Sequence, residues 1–220
     1  MPDPTPPDVR VEGFELGPFA TNCYVVSVPP HQGCWIIDAG FEPGAMVSRI
    51  RELGLRPEAI ILTHGHIDHI AGLEEVRRAF AAEKPPVLVH ENEAAFLTDP
   101  GLNLSGDYGL PMASRGPDRT LRGGEELRLG PSKWQVLFTP GHSPGGITLY
   151  CAQAGAALVG DVLFAGSVGR FDFPTSNESD LVRSIREVLY RLPDETKVYS
   201  GHGPPTTIGR EKKSNQFVRA

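Results

Sequence analysis

Cysteine is scarce in this chain. Only three of the 220 residues are cysteine (Cys23, Cys34 and Cys151), and they share no short repeat spacing. An odd, scattered set excludes a disulfide framework and a cysteine zinc knuckle, so the thiols read as free in a reducing compartment. Long apolar runs are also missing, and none approaches the roughly 18–20 residues of a membrane span. The opening MPDPTPPDVR has no apolar core of the kind a secretory signal needs, which makes a cytoplasmic globular protein the default. Nor is there an excess of positive charge: 21 Lys and Arg stand against 27 Asp and Glu, a net charge of -6. That balance supplies no broad field for nucleic acid or a membrane surface, so an anionic substrate must be held by a few local cations.

With 40% apolar and 22% charged residues, an ordinary core is possible and general disorder is excluded. The length allows one large domain or two small ones. Residues 1–8 contain four prolines and nothing large to pack apart from Met1, so they are expected to form a mobile arm, with a single domain over residues 9–220. VRVEGFEL, NCYVVSV and CWIID read as an antiparallel meander. Met46, Val47, Ile50 and Leu53 fall at helical spacing before Gly54, and AIILT (59–63) follows as a strand covered on both faces. LEEVRRAF is helical, PVLVH extended and ENEAAFL helical again. Residues 99–124, rich in glycine and proline, read as a long surface loop, of a length that marks either a functional cover or a mobile excursion. WQVLF (134–138), ITLYC (147–151), AALVG (156–160) and KVYS (197–200) are further strands, and DLVRSIREVLYRL is an amphipathic helix. Strand, strand, strand, helix therefore occurs in both halves, as two face-to-face sheets with helices outside would require.

The chemistry concentrates in Thr63-His64-Gly65-His66-Ile67-Asp68-His69, between a strand and a helix. Residues two apart on extended chain point to one side, so His64 and His66 can grip one metal. Asp68 and His69, beyond the turn, can aim at a second. Imidazole and carboxylate donors suit zinc, iron or manganese better than a thiolate-seeking metal. Three more candidates follow apolar strands and are flanked by glycine: His142 in TPGHSPGG, Asp161 in VGD and His202 in SGHGPP. Glycines 141, 160, 201 and 203 allow sharp turns where such side chains converge. His31 and His90 lack this setting and read as solvated or capping residues.

The order H-x-H-x-D-H, G-H-S-P-G, G-D, G-H resembles the metallo-β-lactamase superfamily, and within it the single-domain, glyoxalase II-like thioester hydrolases. The resemblance runs from about Val9 to the C-terminus. It implies an α/β (α+β) fold of four layers, αββα, with all ligands at one edge. It also implies two divalent metal ions, zinc foremost with iron or manganese admitted. His64, His66 and His142 would hold one, Asp68, His69 and His202 the other, and Asp161 would bridge them. Asp68 is then both ligand and catalytic hydrogen-bond acceptor for the attacking hydroxide. The β-lactamases proper usually carry Cys at the position of Asp161, which disfavours antibiotic hydrolysis. Asp38 resembles the family's buried Asp near the metal loop, and also fits a plain cap.

The implied reaction is hydrolysis of a small-molecule thioester of the S-lactoylglutathione kind. A mononuclear iron persulfide dioxygenase and a lactonase or other ester hydrolase share the scaffold. Gly169-Arg170-Phe171-Asp172-Phe173 resembles the family segment that touches glutathione, which makes Arg170, Phe171 and Asp172 the substrate-binding candidates. Arg170 can clamp a carboxylate, or pair with Asp172 to support the loop. Long glyoxalases insert a helical glutathione-binding domain after the last His ligand. Here His202 runs directly into PPTTIGREKKSNQFVRA, whose Arg210, Lys212 and Lys213 read as a solvated basic tail.

Overall fold

The computed structural model describes residues 7–219. Most of the expected N-terminal arm, residues 1–6, lies outside the described residues; within it, Asp8 pairs with Arg10. The first sheet is built from β1 (Arg10–Leu16), β2 (Thr21–Ser27), β3 (Gly33–Ile37), β4 (Arg56–Ile61), β5 (Val87–His90) and β6 (Arg119–Leu121), in that order. The first three strands are antiparallel; β3 to β6 run parallel. Parallel neighbours need crossovers. These are α1 (Gly44–Glu52) between β3 and β4, and α2 (Ile67–Ile70) with α3 (Leu73–Ala79) between β4 and β5.

The second sheet is formed by β7 (Glu126–Leu129), β8 (Ser132–Phe138), β9 (Ile147–Cys151), β10 (Ala156–Gly160), and then, beyond a small hairpin of β11 (Leu163–Phe164) with β12 (Ser167–Val168) and α4 (Glu178–Arg183), by β13 (Lys197–Ser200) and β14 (Thr206–Thr207). β7 to β10 are antiparallel and β13 lies parallel to β10. The chain closes on α5 (Ile208–Ser214).

Side-chain alternation along the strands creates three apolar layers. Val25, Ile36 and Ile60 face outward onto Met46, Ile50, Leu73 and Val76 of the first helical layer. Their neighbours Val26, Trp35, Ile37 and Ile61 face inward onto Trp134, Val136, Leu149 and Leu158 of the second sheet. Tyr150, Ala157 and Val159 face the other helical layer through Leu181, Ile185, Leu189 and Ile208. The order is αββα, as expected. AIIL, ahead of Thr63, is apolar on both faces because Ile60 and Ile61 are each wholly buried on opposite sides, stabilising by about 1.5–3 kcal/mol apiece.

Two local readings need correction. The stretch 99–124 is not all loop, because Arg119–Leu121 pairs with β5 as an edge strand too short and too polar to signal itself. The C-terminal residues are not a solvated tail. They form α5, whose wholly buried Glu211 receives hydrogen bonds from Thr206 Oγ1 at 2.6 Å, Gly166 N at 2.8 Å and Asn215 Nδ2 at 2.9 Å. Lys212 pairs with Asp194.

Candidate metal centre

The metal loop begins where β4 ends. Asp38, 1% exposed at the end of β3, accepts from Thr63 N at 2.7 Å and Thr63 Oγ1 at 2.8 Å, which fixes the departure of the chain. The same carboxylate faces His69 Nδ1 at 2.8 Å, so His69 turns Nε2 toward the cluster. Asp38 therefore stands where the resemblance puts the family's buried Asp, beside the metal loop, and it orients His69. His66 is extended (φ -69°, ψ 153°) and α2 starts immediately after it, so Asp68 and His69 sit on a helical turn while His64 and His66 precede it.

Each remaining candidate emerges just beyond a strand of the second sheet. Since β10 and β13 are parallel neighbours, Asp161 and His202 leave at the same edge. Gly201 must be glycine, because a Cβ there would strike Asp161 Oδ1; Gly160 adopts φ +53°, where a side chain would meet Thr63. The sheets are tied at this edge by Asn22 N donating to Gly201 O at 2.7 Å and Ile147 N donating to Thr63 O at 3.0 Å.

All seven predicted ligand residues converge. His64, His66 and His142 form one group, His64, His69 and Asp161 a second, and Asp68, His69 and His202 a third, each with donor atoms within 4.8 Å of one another. His66 Nδ1 and His142 Nε2 face each other at 3.0 Å. Asp161 stands between the groups: Oδ1 lies 3.4 Å from His69 Nε2, and Oδ2 lies 3.6 Å from His142 Nε2 and 3.4 Å from His202 Nε2.

The donor set fits divalent metal on the evidence of its own unmet valences. His64 Nε2, His66 Nε2, His69 Nε2 and Asp161 Oδ1 are buried with no hydrogen-bond partner. An orphaned buried polar atom costs about 1–3 kcal/mol, and four at one spot are what cation ligation would satisfy. The electrostatics divide the site. Burial, followed by the crowding of His69, His66 and His142, pushes His64 well below the ordinary imidazole range, and burial with His142 lowers His66 to about 3. Burial likewise lowers His142, whose Nδ1 is held by the Arg170 carbonyl at 2.7 Å. These three are neutral donors ready for metal. On the other flank burial opposes charge on His202, but Asp161 and Asp68 outweigh it and raise the ring to about 10. Asp68 is pushed up by burial yet held at about 2 by His69 and His202.

Two contributors gave no sequence signal. Thr21, wholly buried, donates its hydroxyl to Asp68 Oδ2 at 2.9 Å. Glu93, also wholly buried, accepts from Gly65 N at 2.9 Å through Oε2, and through Oε1 from Gly145 N at 2.6 Å and the Ser143 hydroxyl. It thereby joins the backbone between His64 and His66 to the turn after His142. His90, as expected, is a cap: its Nδ1 accepts from Asn92 N at 3.2 Å. His31 pairs with Glu58 at the surface, and all three cysteines are free and buried.

A cavity of about 250 Å³ opens over the cluster. Arg170 lines it, whereas Phe171 and Asp172 do not; Phe173 does. Arg170 is bound in two-point fashion to Asp172, at 2.8 and 2.9 Å, and lies over the Phe173 ring at 4.2 Å. The long loop supplies Leu104 and Tyr108 to the wall, so of its two readings it takes that of a cover.

Comparison with known proteins agrees with this geometry. Residues 16–202 match the family model of the metallo-beta-lactamase superfamily. The chain is similar to a probable metallo-hydrolase, YqgX, of Bacillus subtilis, with 42% identity over 92% of this chain and 94% of that one. It is also similar to the hydroxyacylglutathione hydrolase GloC of Haemophilus influenzae, with 34% identity over 96% of this chain and 99% of that one. Among solved structures, the BLEG-1 B3 metallo-beta-lactamase superposes with a TM-score of 0.90 at 37% identity, covering 96% of this chain and all of that one. TTHA1623 in a di-iron-bound form gives 0.83 at 36% identity, covering 94% and 100%. Fold, site order and relatives together establish that the chain belongs to the metallo-beta-lactamase superfamily and is a metal-dependent hydrolase of that fold.

Proposed function

We propose that this protein hydrolyses a thioester of the S-acylglutathione type, using two divalent metal ions of which zinc is the first candidate. The observation that carries this reading is Asp161, whose two oxygens face histidines of both ligand groups. A carboxylate so placed can serve two cations at once. Such cations, when bound, bring the pKa of water toward neutrality and polarise a substrate carbonyl.

The chain's own residues do the rest. His64, His66 and His142 would hold one ion, and Asp68, His69 and His202 the other. Asp68 lines the cavity, its carboxylate facing His202 Nε2 at 3.2 Å. Its role is to orient the attacking water by accepting a hydrogen bond, with the Thr21 hydroxyl fixing the carboxylate. A thiol of pKa near 8.5 leaves as thiolate without a proton donor. The cavity suits that demand, since apart from the ligand groups the polar groups on its wall are Arg170 and the Tyr108 hydroxyl. The likeness to a hydroxyacylglutathione hydrolase supports the same substrate class.

A second reading, opening of a β-lactam amide on the same centre, draws on the likeness to BLEG-1. One experiment separates them. Protein loaded with zinc is assayed for thiol release from S-lactoylglutathione and other S-acyl thioesters, and for ring opening of a chromogenic cephalosporin. Thioester turnover at least a hundredfold above β-lactam turnover is the expected result, and the reverse order would overturn it.

A further inference from the structure

The cavity wall has a chemistry that the metal cluster does not require. Apart from the ligand groups and Arg170, every side chain lining it is apolar or aromatic: Phe19, Ile67, Leu104, Tyr108, Phe164 and Phe173. The rings reach the ligands themselves. Phe173 stands edge-on to His66 and His142, with centroids 5.4 and 5.7 Å apart, and Phe164 stands edge-on to His202 at 6.0 Å. Phe19 and Tyr108, from two different loops, meet edge to face at 5.1 Å. A carbonyl at the metal cluster therefore has aromatic carbon beside its substituent.

This wall is built rather than incidental. Leu104 contributes to it from a left-handed backbone (φ +67°), a conformation a leucine adopts only when its surroundings impose it. Its neighbours Asn103 and Ser105 are wholly buried and impose it. Asn103 Nδ2 donates to Phe96 O at 2.8 Å and Met112 O at 3.0 Å, while Asn103 O accepts from Ile67 N at 2.9 Å. The covering loop is thus fastened to the metal loop at the start of α2.

Charge tells the same story from the other side. Glutathione carries two carboxylates, and a site that grips it needs cations. Outside the metal-ligand set, Arg170 is the one cation on the cavity wall, and Asp172 neutralises it with two parallel hydrogen bonds. The volume of about 250 Å³ lies below the roughly 300–1,000 Å³ of pockets that enclose a drug-sized ligand. It suffices for one acyl group and leaves the thiol carrier at the mouth, where a leaving group must exit.

We infer that the pocket formed by Phe19, Leu104, Tyr108, Phe164 and Phe173 selects thioesters by an apolar, preferably aromatic, acyl group and takes its thiol carrier largely without discrimination. This deepens the thioester reading and rests on it. The test uses zinc-loaded protein and four substrates: acetyl and phenylacetyl thioesters, each of glutathione and of neutral N-acetylcysteamine, with rates normalised to hydroxide hydrolysis. The expected kcat/KM for phenylacetyl exceeds that for acetyl at least about tenfold on both carriers, and the carrier changes it less than about threefold. Tyr108→Ala and Phe19→Ala should each shrink the acyl ratio to about twofold. A preference of tenfold or more for glutathione with no acyl ratio would overturn the inference while keeping the hydrolase. If none of the four is cleaved, the thioester reading falls, and the pocket is then read by competition binding of phenylacetate against acetate. Tighter binding of phenylacetate by tenfold or more upholds the aromatic preference, and equal binding overturns it.

Discussion

Glu93→Gln changes one atom of a side chain that ligates no metal in the proposed site, and its consequence can be worked from the geometry. Oε2 faces Gly65 N at 2.9 Å and Oε1 faces Gly145 N at 2.6 Å, so both oxygens meet backbone N–H groups that can only donate. Glutamine has a single carbonyl oxygen. Whichever way the amide turns, its NH2 confronts one of these donors in a buried site. Burial pushes the Glu93 carboxyl up, and its three hydrogen bonds with Ser143, Gly145 and Gly65 are what pull it back. Leaving one buried N–H unpaired costs about 1–3 kcal/mol. If the metal-free loop relaxes, part of the cost disappears from stability and reappears in metal affinity, since His64, His66 and His142 must regain their places to bind. About 2 kcal/mol corresponds to roughly thirtyfold in dissociation constant, within the 10- to 100-fold span typical of groups that support metal ligands. The assay is a stepwise zinc titration against a competing chelator, with thermal melts of metal-free protein alongside. Glu93→Gln should weaken zinc binding by that order or lower the melting temperature by about 4–8 °C. Unchanged affinity together with an unchanged melt would refute the reasoning.

Three further outcomes follow from the same structure. Asp161→Ala removes the carboxylate facing both ligand groups, so it should cost more activity than loss of any single histidine and leave fewer than one equivalent of metal; elemental analysis with turnover checks this. In metal-free protein His202 is raised from its ordinary value to about 10 by Asp161 and Asp68, so its contribution to stability is complete below pH 6.5 and is lost as pH rises toward 10. Melting temperature should fall across that window in wild type and fall less in His202→Ala, where His69, raised against its burial by Asp68, Asp38 and Asp161, still titrates. Arg170→Ala breaks a pair whose side chains are 61% and 63% exposed, where solvent screening leaves little stability to lose, so the melting temperature should move by under about 4 °C. Calorimetry measures it, and a large drop would make the pair a structural support.

The strands that carry ligands were legible because each is a short, largely apolar run with a donor residue and a glycine within a few positions of its end. AIILT before His64, WQVLF before His142, AALVG before Asp161 and KVYS before His202 all lie where their patterns place them. The alternation that sorts Ile36 from Ile37 is readable too, since period two is intrinsic to extended chain. Glu93 was not legible. It lies on a helical turn among Glu91, Asn92 and Ala94, and nothing local distinguishes a carboxylate that will be enclosed by two loops from one that will be solvated. Thr21 was hidden for the same reason, as its partner Asp68 is remote in sequence. The edge strand Arg119–Leu121 has too few residues for a period. Leu104 and Tyr108 sit in a stretch whose glycines and prolines signal a loop and not the wall of a cavity. Arg170 was singled out, but its bond to Asp172 and its stacking on Phe173 emerge only from the fold.

In the proposed reaction two cations would share Asp161. The most direct measurement is metal content per chain, by elemental analysis of protein purified without added chelator or metal, combined with titration of turnover against equivalents restored to metal-free protein. Two equivalents per chain, with full thioester hydrolysis reached only as the second is filled, is the predicted result. A single tightly held iron, with no gain on adding a second ion, would contradict it and favour the persulfide dioxygenase chemistry that shares this scaffold.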